Sequence, residues 1–221
     1  MTKNAIPAYD TSMKADFEDY LTDAKLHIET TGRDDRYSDP HIYPYEATTY
    51  TVLDRLIESG LIQGSDCLLD YGCGKGRVPL YVAHQTGCRA IGIEYVDVFY
   101  KKALSNLSGY RKFFPDRPSE IQIVETNASL YRVPADVNRI FFFNPFSVEI
   151  LTAALERILA SCYEQPRQIF LFFYYPQDAY MAFLNAHDRL SFYDEIDCTD
   201  LFSEKDDRNR IMIFEIDAQS L

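Results

Sequence analysis

The sequence predicts an α/β fold: an open sheet of about seven strands with helices on both faces, a terminal antiparallel hairpin and an N-terminal helical extension. Three observations indicate it. From residue 67 onward, short apolar strands alternate with helical segments; a glycine-rich loop follows the first of these strands; and two strands flank a charged turn near the end of the chain. The alternation predicts parallel βαβ units, and the charged turn predicts the hairpin.

Two helices are expected before the alternating part. Residues 16–30 and residues 49–59 both place apolar side chains at close to helical spacing. Residues 31–46 are rich in Gly, Asp, Pro and Tyr and predict an ordered loop. We therefore expect residues 1–60 to form a helical extension, or lid, packed on a core domain of residues 61–221.

Element boundaries follow from the change in hydrophobic period along the chain. The predicted strands cover residues 67–70, 90–94, 121–125, 139–143, 168–174, 193–198 and 210–216. The predicted helices between them cover residues 77–86, 98–110, 148–162 and 177–187.

Composition limits the class of protein. The chain has 221 residues, of which 47% are hydrophobic, so it is long enough for one sizeable core. Its formal net charge of −12 argues against a large duplex nucleic-acid footprint, which needs a basic face. No run of 18 apolar residues predicts a membrane span, and the first residues contain no apolar signal segment. We expect a cytoplasmic protein, and its oligomeric state is not readable.

Metal and covalent chemistry are not indicated. The five cysteines are odd in number and lack C-x-x-C spacing, which fits a reducing compartment and gives no zinc signature. The four histidines are scattered, and neither Ser nor Cys stands in a nucleophile-elbow context. We therefore expect no metal and no covalent intermediate.

The run from residue 68 to residue 77 is the most informative segment. An apolar strand leads into Asp70-Tyr71-Gly72-Cys73-Gly74-Lys75-Gly76, and a second strand ends on Glu94. This is the layout of a Rossmann-like βαβ unit, but the spacing is G-x-G-x-G rather than the dinucleotide fingerprint G-x-G-x-x-G. A carboxylate at Asp70 would repel a pyrophosphate and suits a nucleoside that carries an ammonium group. These features indicate S-adenosylmethionine.

Within this loop the glycines have different expected tasks. Gly72 and Gly74 would let a ligand approach the backbone, whereas Gly76 would let the following helix pack on the sheet. The three could also form a simple strand-to-helix turn. Lys75 and Arg77 are expected to face solvent.

Four polar residues directly follow apolar strands, where ligands bind in sheets of this kind. They are Asp70, Glu94, Asn127 and Asn144. The Glu94 carboxylate can accept hydrogen bonds from both ribose hydroxyls, and the Asn127 amide can pair with an adenine edge. Asn127 is also a common turn former.

Asn144-Pro145-Phe146 follows the strand at residues 139–143. The Asn144 carbonyl can hold an amine with its lone pair aimed at the sulfonium methyl, and Phe146 can stack on a planar or cationic group. The alternative is a plain helix cap with Ser147 as the capping residue.

An aromatic segment, residues 43–50, precedes the glycine loop. It can form a lid over the cofactor, with Tyr43 or Tyr45 closing the site and Thr48 at the cofactor. It can also be only a helix entry with Thr48 as the cap.

The stretch from Asp70 to Gly76, with Glu94, resembles the first two motifs of class I S-adenosylmethionine-dependent methyltransferases. The resemblance spans about residues 42–216, and the terminal hairpin is similar to that family's sheet. It implies that Asp70 and the glycine loop face the methionine part of the cofactor, that Glu94 binds the ribose and that Asn127 binds the adenine.

Two branches of this class show further similarity. Asn144-Pro145-Phe146 is similar to the Asn-Pro-Pro-aromatic motif of amino-group methyltransferases, without its second proline. The segment from Tyr45 to Tyr50, together with Asn144-Pro145-Phe146, resembles Dot1-type protein lysine methyltransferases, although Ala47 stands where that family has Glu. Both resemblances imply an amine acceptor.

The sequence therefore predicts a methyltransferase that transfers a methyl group in line to an amine of a small molecule or protein. Asn144 would orient the acceptor, Phe146 would pack against it and Tyr45 would help to close the site. Two alternatives stay open: a nucleotide- or NAD-binding oxidoreductase on the same sheet type, and a catalytically silent S-adenosylmethionine-binding protein.

Overall fold

The computed structural model of the chain describes residues 11–117 and 120–216, with side chains from residue 17 onward. Residues 1–10 of the predicted extension and residues 217–221 of the predicted core domain lie outside the described residues. The helices are α1 (Thr11–Leu26), α2 (Tyr50–Glu58), α3 (Arg77–Thr86), α4 (Asp97–Phe113), α5 (Val148–Glu164) and α6 (Asp178–Asn185).

The strands fall into a short two-stranded ribbon and one main sheet. The ribbon joins β1 (Arg33–Asp34) to β2 (Tyr45–Glu46). The main sheet contains β3 (Cys67–Tyr71), β4 (Arg89–Glu94), β5 (Ile121–Glu125), β6 (Arg139–Phe142), β7 (Ile169–Tyr174), β8 (Ser191–Asp197) and β9 (Arg210–Ile216).

The main sheet has the strand order β5-β4-β3-β6-β7-β9-β8. Strands β3 to β7 pair in parallel, whereas β9 pairs antiparallel with both β7 and β8. The predicted open sheet of seven strands with a terminal hairpin is confirmed. The chain leaves β3 first toward β4 and later returns to β6 on its other side, so the strand order reverses between β3 and β6. Ligands bind at such a switch point.

The two faces of the sheet carry separate hydrophobic cores, as the predicted arrangement of helices requires. Alternate residues of β3 point to opposite faces, so Leu68 packs with α2, α3 and α4, whereas Leu69 packs with α5 and α6. The aromatic residues of β6 and β7 extend both cores. Phe141 and Phe172 lie on the first face, and Phe142 lies on the second.

Several boundaries differ from the predicted ones. Helix α1 ends at Leu26 rather than residue 30, because His27 adopts a left-handed φ of 57° that an α-helix cannot continue. The predicted loop over residues 31–46 contains the β1–β2 ribbon, which the short and polar Arg33–Asp34 did not signal. Helix α2 is preceded by Thr49 as its N-cap rather than Thr48.

The prediction that Arg77 faces solvent is wrong, because its side chain is only 2% exposed. Its guanidinium donates to the Asp19 carboxylate, to Oγ1 of Thr30 at 2.7 Å and to the carbonyl of Thr48 at 3.0 Å. Asp23 completes the cluster, 3.7 Å from the guanidinium. Arg77 therefore ties helix α1 and the segment after it to the start of α3.

No helix in residues 11–117 or 120–216 is long and apolar enough to cross a membrane. All five cysteines are buried and unbridged. Among the described residues, no three His, Cys, Asp or Glu side chains form a group that could hold a metal ion.

Candidate functional site

A cavity of about 480 Å³ opens at the carboxyl ends of β3, β4, β5 and β6. Its volume falls in the range of small-molecule and cofactor sites. We call it the first cavity. Its wall includes the glycine loop, polar residues at the ends of β4, β5 and β6, and the aromatic segment before α2. The lining residues among these and beside them are Tyr43, Tyr45, Gly72, Gly74, Glu94, Asn127, Phe143, Asn144 and Phe146.

The glycine loop is shaped by close contacts that a side chain would prevent. Gly72 and Gly74 have φ angles of 75° and 54°. A Cβ atom on Gly72 would collide with the ring of Pro145, and one on Gly74 would collide with the ring of Tyr45. Gly76 has a φ of 87° and approaches Ala103 of α4. The loop is therefore packed between the aromatic segment and the loop after β6.

Glu94 is buried at the end of β4 and anchors the glycine loop. One carboxylate oxygen accepts a hydrogen bond from the backbone N–H of Gly74 at 2.8 Å. The other accepts from the N–H groups of Tyr95 and Val96, each at 2.8 Å. Burial raises the pKa of Glu94, and these three donors oppose that rise. The carboxylate keeps lone pairs for a ligand in the cavity.

Asp70 lies beside the first cavity rather than in its wall. It is 3% exposed and lines a small adjoining space of about 30 Å³, together with Thr48, Gly72 and Arg77. Burial, and secondarily the nearby Glu94, raise the pKa of Asp70 well above its usual value. A cationic group that reached this space would favour the ionised form.

Asn127 lies in the wall of the first cavity, directly after β5. Its side-chain oxygen accepts from the backbone N–H of Ser129 at 2.9 Å and from the hydroxyl of Ser129 at 2.8 Å. Asn127 therefore forms a turn and also lines the cavity. The predicted contact of Asn127 with an adenine edge, through its Nδ2, stays a prediction.

Asn144 follows β6 in a left-handed conformation, with a φ of 40°. Its Nδ2 donates to the carbonyl of Tyr175 at 2.6 Å, and Tyr175, just after β7, also has a positive φ of 50°. The Oδ1 atom of Asn144 is buried and has no hydrogen-bond partner among the described residues. Strained backbone and an unpaired buried polar atom are typical of functional positions, and the catalytic role of Asn144 stays a prediction.

Tyr45 and Phe146 lie in the wall of the first cavity. The Tyr45 hydroxyl and the Phe146 ring already contact other residues of the protein. The Tyr45 hydroxyl donates to the carbonyl of Thr30, so it is the ring that faces the glycine loop. The ring of Phe146 packs on Tyr71 and Phe142 in the core, with centroid distances of 6.3 and 6.4 Å. The catalytic roles predicted for both stay predictions.

A second cavity, of about 880 Å³, adjoins the first. Tyr43, Pro44, Glu46, Phe143 and Asn144 line both. The second cavity is also lined by residues that were not predicted as site residues: Tyr174, Tyr175, Phe202, Glu204 and Asp206. The position of Tyr174 and Tyr175 at the end of a parallel strand was a usable signal, whereas nothing in the sequence placed Glu204 and Asp206 near the site.

Two curated proteins match part of the chain. No family model matches the chain. A 62-residue stretch is 42% identical to a Dictyostelium discoideum protein named histone-lysine N-methyltransferase, H3 lysine-79 specific, covering 28% of this chain and 3% of that protein. A 69-residue stretch is 33% identical to a Saccharolobus islandicus protein-lysine N-methyltransferase, covering 31% of this chain and 42% of the relative.

Solved structures extend the similarity across the sheet. A putative rRNA methylase from Clostridium thermocellum superimposes with a TM-score of 0.53 at 14% identity, over 78% of this chain and 99% of that one. An RNA methyltransferase from Salinibacter ruber, in complex with S-adenosyl-L-homocysteine, superimposes with a TM-score of 0.50 at 17% identity, over 77% and 94%.

The chain therefore has the fold of the class I S-adenosylmethionine-dependent methyltransferases. The predicted resemblance of the chain to methyltransferases is confirmed by these matches.

Proposed function

We propose that this protein is an S-adenosylmethionine-dependent methyltransferase that acts on an amine nitrogen. The observation that carries the proposal is the position of Asn144. It stands where the first and second cavities meet, and its buried Oδ1 has no hydrogen-bond partner among the described residues. An amine that reached this oxygen would donate an N–H to it and keep the nitrogen lone pair for reaction.

The residues of the first cavity fit the proposed cofactor. Glu94 would accept from the ribose hydroxyls, and Nδ2 of Asn127 would donate to the adenine edge. The backbone of the glycine loop would contact the methionine part, with Asp70 and Thr48 at its ammonium group. When bound, the cofactor supplies an electrophilic methyl group, so that an N–C bond forms as the C–S bond breaks, the electron pair stays on sulfur and the amine proton leaves to water.

The remaining predicted residues would shape the reaction rather than supply a proton acceptor. Asn144 would orient the amine, because its Nδ2 is fixed by the Tyr175 carbonyl. Tyr45 would close the site through its ring, and Phe146 would hold the loop after β6 against the core. Positioning of this kind accounts for much of the rate of an in-line transfer.

The identity of the amine is the finer part of the proposal. The names of the two curated relatives, both lysine N-methyltransferases, support a protein acceptor, while the printed names of the solved structures include RNA methyltransferases. The net charge of −12 disfavours a polyanionic acceptor.

We further propose that residues 1–60 act as a lid on the core domain of residues 61–221, and that the protein is cytoplasmic.

The first experiment is a calorimetric titration with S-adenosylmethionine and, separately, with NAD. The test variant is Glu94→Ala. Its matched control is Glu125→Ala, because Glu125 ends the neighbouring strand in register with Glu94 but is exposed and does not line the cavity. We expect S-adenosylmethionine binding to weaken at least about tenfold, or ~1.4 kcal/mol, in Glu94→Ala and to persist in Glu125→Ala.

Binding of NAD in place of S-adenosylmethionine would establish the oxidoreductase alternative. If S-adenosylmethionine binds normally, Asn144→Ala separates an enzyme from a silent binding protein. An enzyme loses methyl transfer in this variant while it keeps cofactor affinity. A chain that transfers no methyl group to lysine peptides, alkylamines or RNA, with or without the substitution, is a silent binder.

A further inference from the structure

We propose that the second cavity is the acceptor site and that it takes a primary alkylammonium group at the end of an aliphatic chain. A lysine side chain of a peptide and a free alkylamine share this chemistry. The inference rests on the proposed function, because it is the first cavity that defines which end of the acceptor must reach Asn144.

The position of the second cavity is the first argument. Asn144 and Phe143 line it from the end of β6, and Tyr174 and Tyr175 line it from the end of β7. Strands β6 and β7 are the first and second strands beyond β3 on the side away from β4, where Glu94 lies. A molecule in the second cavity therefore approaches Asn144 from the side away from Glu94 and the proposed ribose position, which leaves the first cavity to the cofactor.

The charge of the second cavity is the second argument. Its charged lining consists of three carboxylates, Glu46, Glu204 and Asp206, and one guanidinium, Arg33. Arg33 is already paired with Glu46 at 2.8 Å. Asp206 is paired with Arg208 at 2.6 Å, so among the described lining residues Glu204 is the carboxylate outside an ion pair. Its negative charge favours a cation at the entrance and disfavours a phosphate group.

The two carboxylates of the β8–β9 connection differ in their surroundings. Asp206 accepts from the Tyr175 hydroxyl at 2.5 Å and from Arg208 at 2.6 Å, so it holds the β8–β9 connection against the end of β7. Glu204 is exposed at the same edge of the cavity. Glu204 is therefore the residue whose charge can be changed with the least effect on the wall.

The aromatic lining is the third argument. Five rings line the cavity: those of Tyr43, Phe143, Tyr174, Tyr175 and Phe202. Such walls pack well on an aliphatic chain and attract its cationic end. One of these rings already has a cation over it, because the Arg208 guanidinium lies 4.5 Å from the centroid of Tyr175.

The entrance and the floor of the second cavity differ in charge and exposure. The acidic entrance attracts the ammonium form, whereas the floor at Asn144 and Phe143 is partly buried and carries no ionised side chain. Removal from water disfavours the charged form of an amine, so a group that reaches the floor loses its proton more readily. The reacting nitrogen then offers its lone pair without a general base.

The test is an NMR titration of the full chain with n-butylamine and with a short neutral peptide that contains one lysine. A single-stranded RNA oligonucleotide is the opposing probe. Each titration is run at about 0.15 M salt, where the screening length is about 8 Å, with and without S-adenosylhomocysteine. The test variant is Glu204→Lys. Its matched control is Asp207→Lys, which makes the same charge change in the same connection at an exposed residue that lines neither cavity.

We expect Glu204→Lys to weaken binding of the amine probes by about fivefold or more and Asp207→Lys to change it less than twofold, because screened interactions fall off with distance. Shifts should appear at the Asn144 side-chain amide. Peptide binding without butylamine binding would assign the source as a protein, and comparable binding of both would assign a free amine.

Two results would overturn the inference. One is equal weakening in the two variants, and the other is RNA binding that displaces the amine or exceeds it. Failure of the proposed function looks different, because S-adenosylhomocysteine would then not bind or no methyl group would be transferred, while amine binding that depends on Glu204 would still support the cavity assignment.

Discussion

Gly74 illustrates how a left-handed backbone and a close packing contact can occur at one position. Its φ of 54° lies in the left-handed region, and its missing side chain leaves room for the Tyr45 ring. Gly87, at the end of α3, has a φ of 77° but nothing within 4 Å of the place where a Cβ would stand. The two glycines therefore separate backbone strain from steric contact.

Replacing these glycines tests that separation. Gly87→Ala is expected to cost about 1 kcal/mol of unfolding free energy, since only the backbone is strained. Gly74→Ala is expected to cost about 2 kcal/mol or more and to weaken S-adenosylmethionine binding at least about tenfold, because Tyr45 must move. Urea unfolding and calorimetry measure the two effects. Equal losses in stability, with equal cofactor binding, would show that the Tyr45 ring does not pack on Gly74.

At the level of elements, the ends of β6 and β7 and the start of α3 position the site. The Asn144 side chain bridges β6 and β7 through the Tyr175 carbonyl. Arg77, at the first position of α3, holds Asp19 of α1 and the Thr48 carbonyl next to the aromatic segment. Burial disfavours its charge, but attraction to Asp19, with smaller contributions from Tyr50 and Asp23, outweighs burial and raises the pKa of Arg77.

Removal of that charge is expected to loosen the N-terminal segment. Arg77→Met leaves two buried carboxylates without their cation, which costs about 3 to 5 kcal/mol of unfolding free energy. Arg132→Met is the matched control, because the pair of Arg132 with Glu164 is exposed and contributes about 1 kcal/mol or less. Urea unfolding measures both. A loss of less than about 1 kcal/mol for Arg77→Met would contradict the tie between α1 and α3.

For the whole molecule, two buried carboxyl groups at the site make the stability of the fold depend on pH. Asp70 and Glu94 are both buried at adjoining strand ends, and burial raises the pKa of each. The folded state therefore holds these protons more tightly than the unfolded state does. As the pH rises past the ordinary pKa of a carboxyl group, about 4, the unfolded state is favoured and the protein loses stability until the folded-state pKa is passed.

Asp70→Asn tests this trade between stability and function. Asparagine has no proton to lose, so we expect the variant to be more stable than the unmodified chain at pH 7. The difference should shrink toward pH 4, the ordinary pKa of a carboxyl group, below which Asp70 is protonated in both states. Cofactor binding should weaken, because the carboxylate for the ammonium group is gone. Unfolding free energies measured from pH 4 to pH 8 decide it, and a variant less stable than the unmodified chain at pH 7 would contradict the argument.

The sequence by itself determined the sheet, the glycine loop and the four polar strand ends, because hydrophobic period and strand-end chemistry are local properties. Three of those strand ends, Glu94, Asn127 and Asn144, lie in the first cavity, and Asp70 lies beside it. Periodicity also separated the helices from the strands, with errors of a few residues at their ends.

Only the tertiary structure decided what depends on contacts between distant segments. Arg77 follows a glycine loop and has no apolar neighbour pattern that marks it as buried, yet Asp19 and Asp23 enclose it from 58 and 54 residues away in the sequence. Likewise, Glu204 and Asp206 reach the second cavity because β9 inserts between β7 and β8, which brings the β8–β9 connection to the end of β7. Strand order is set by packing over the whole sheet, and no local pattern encodes it.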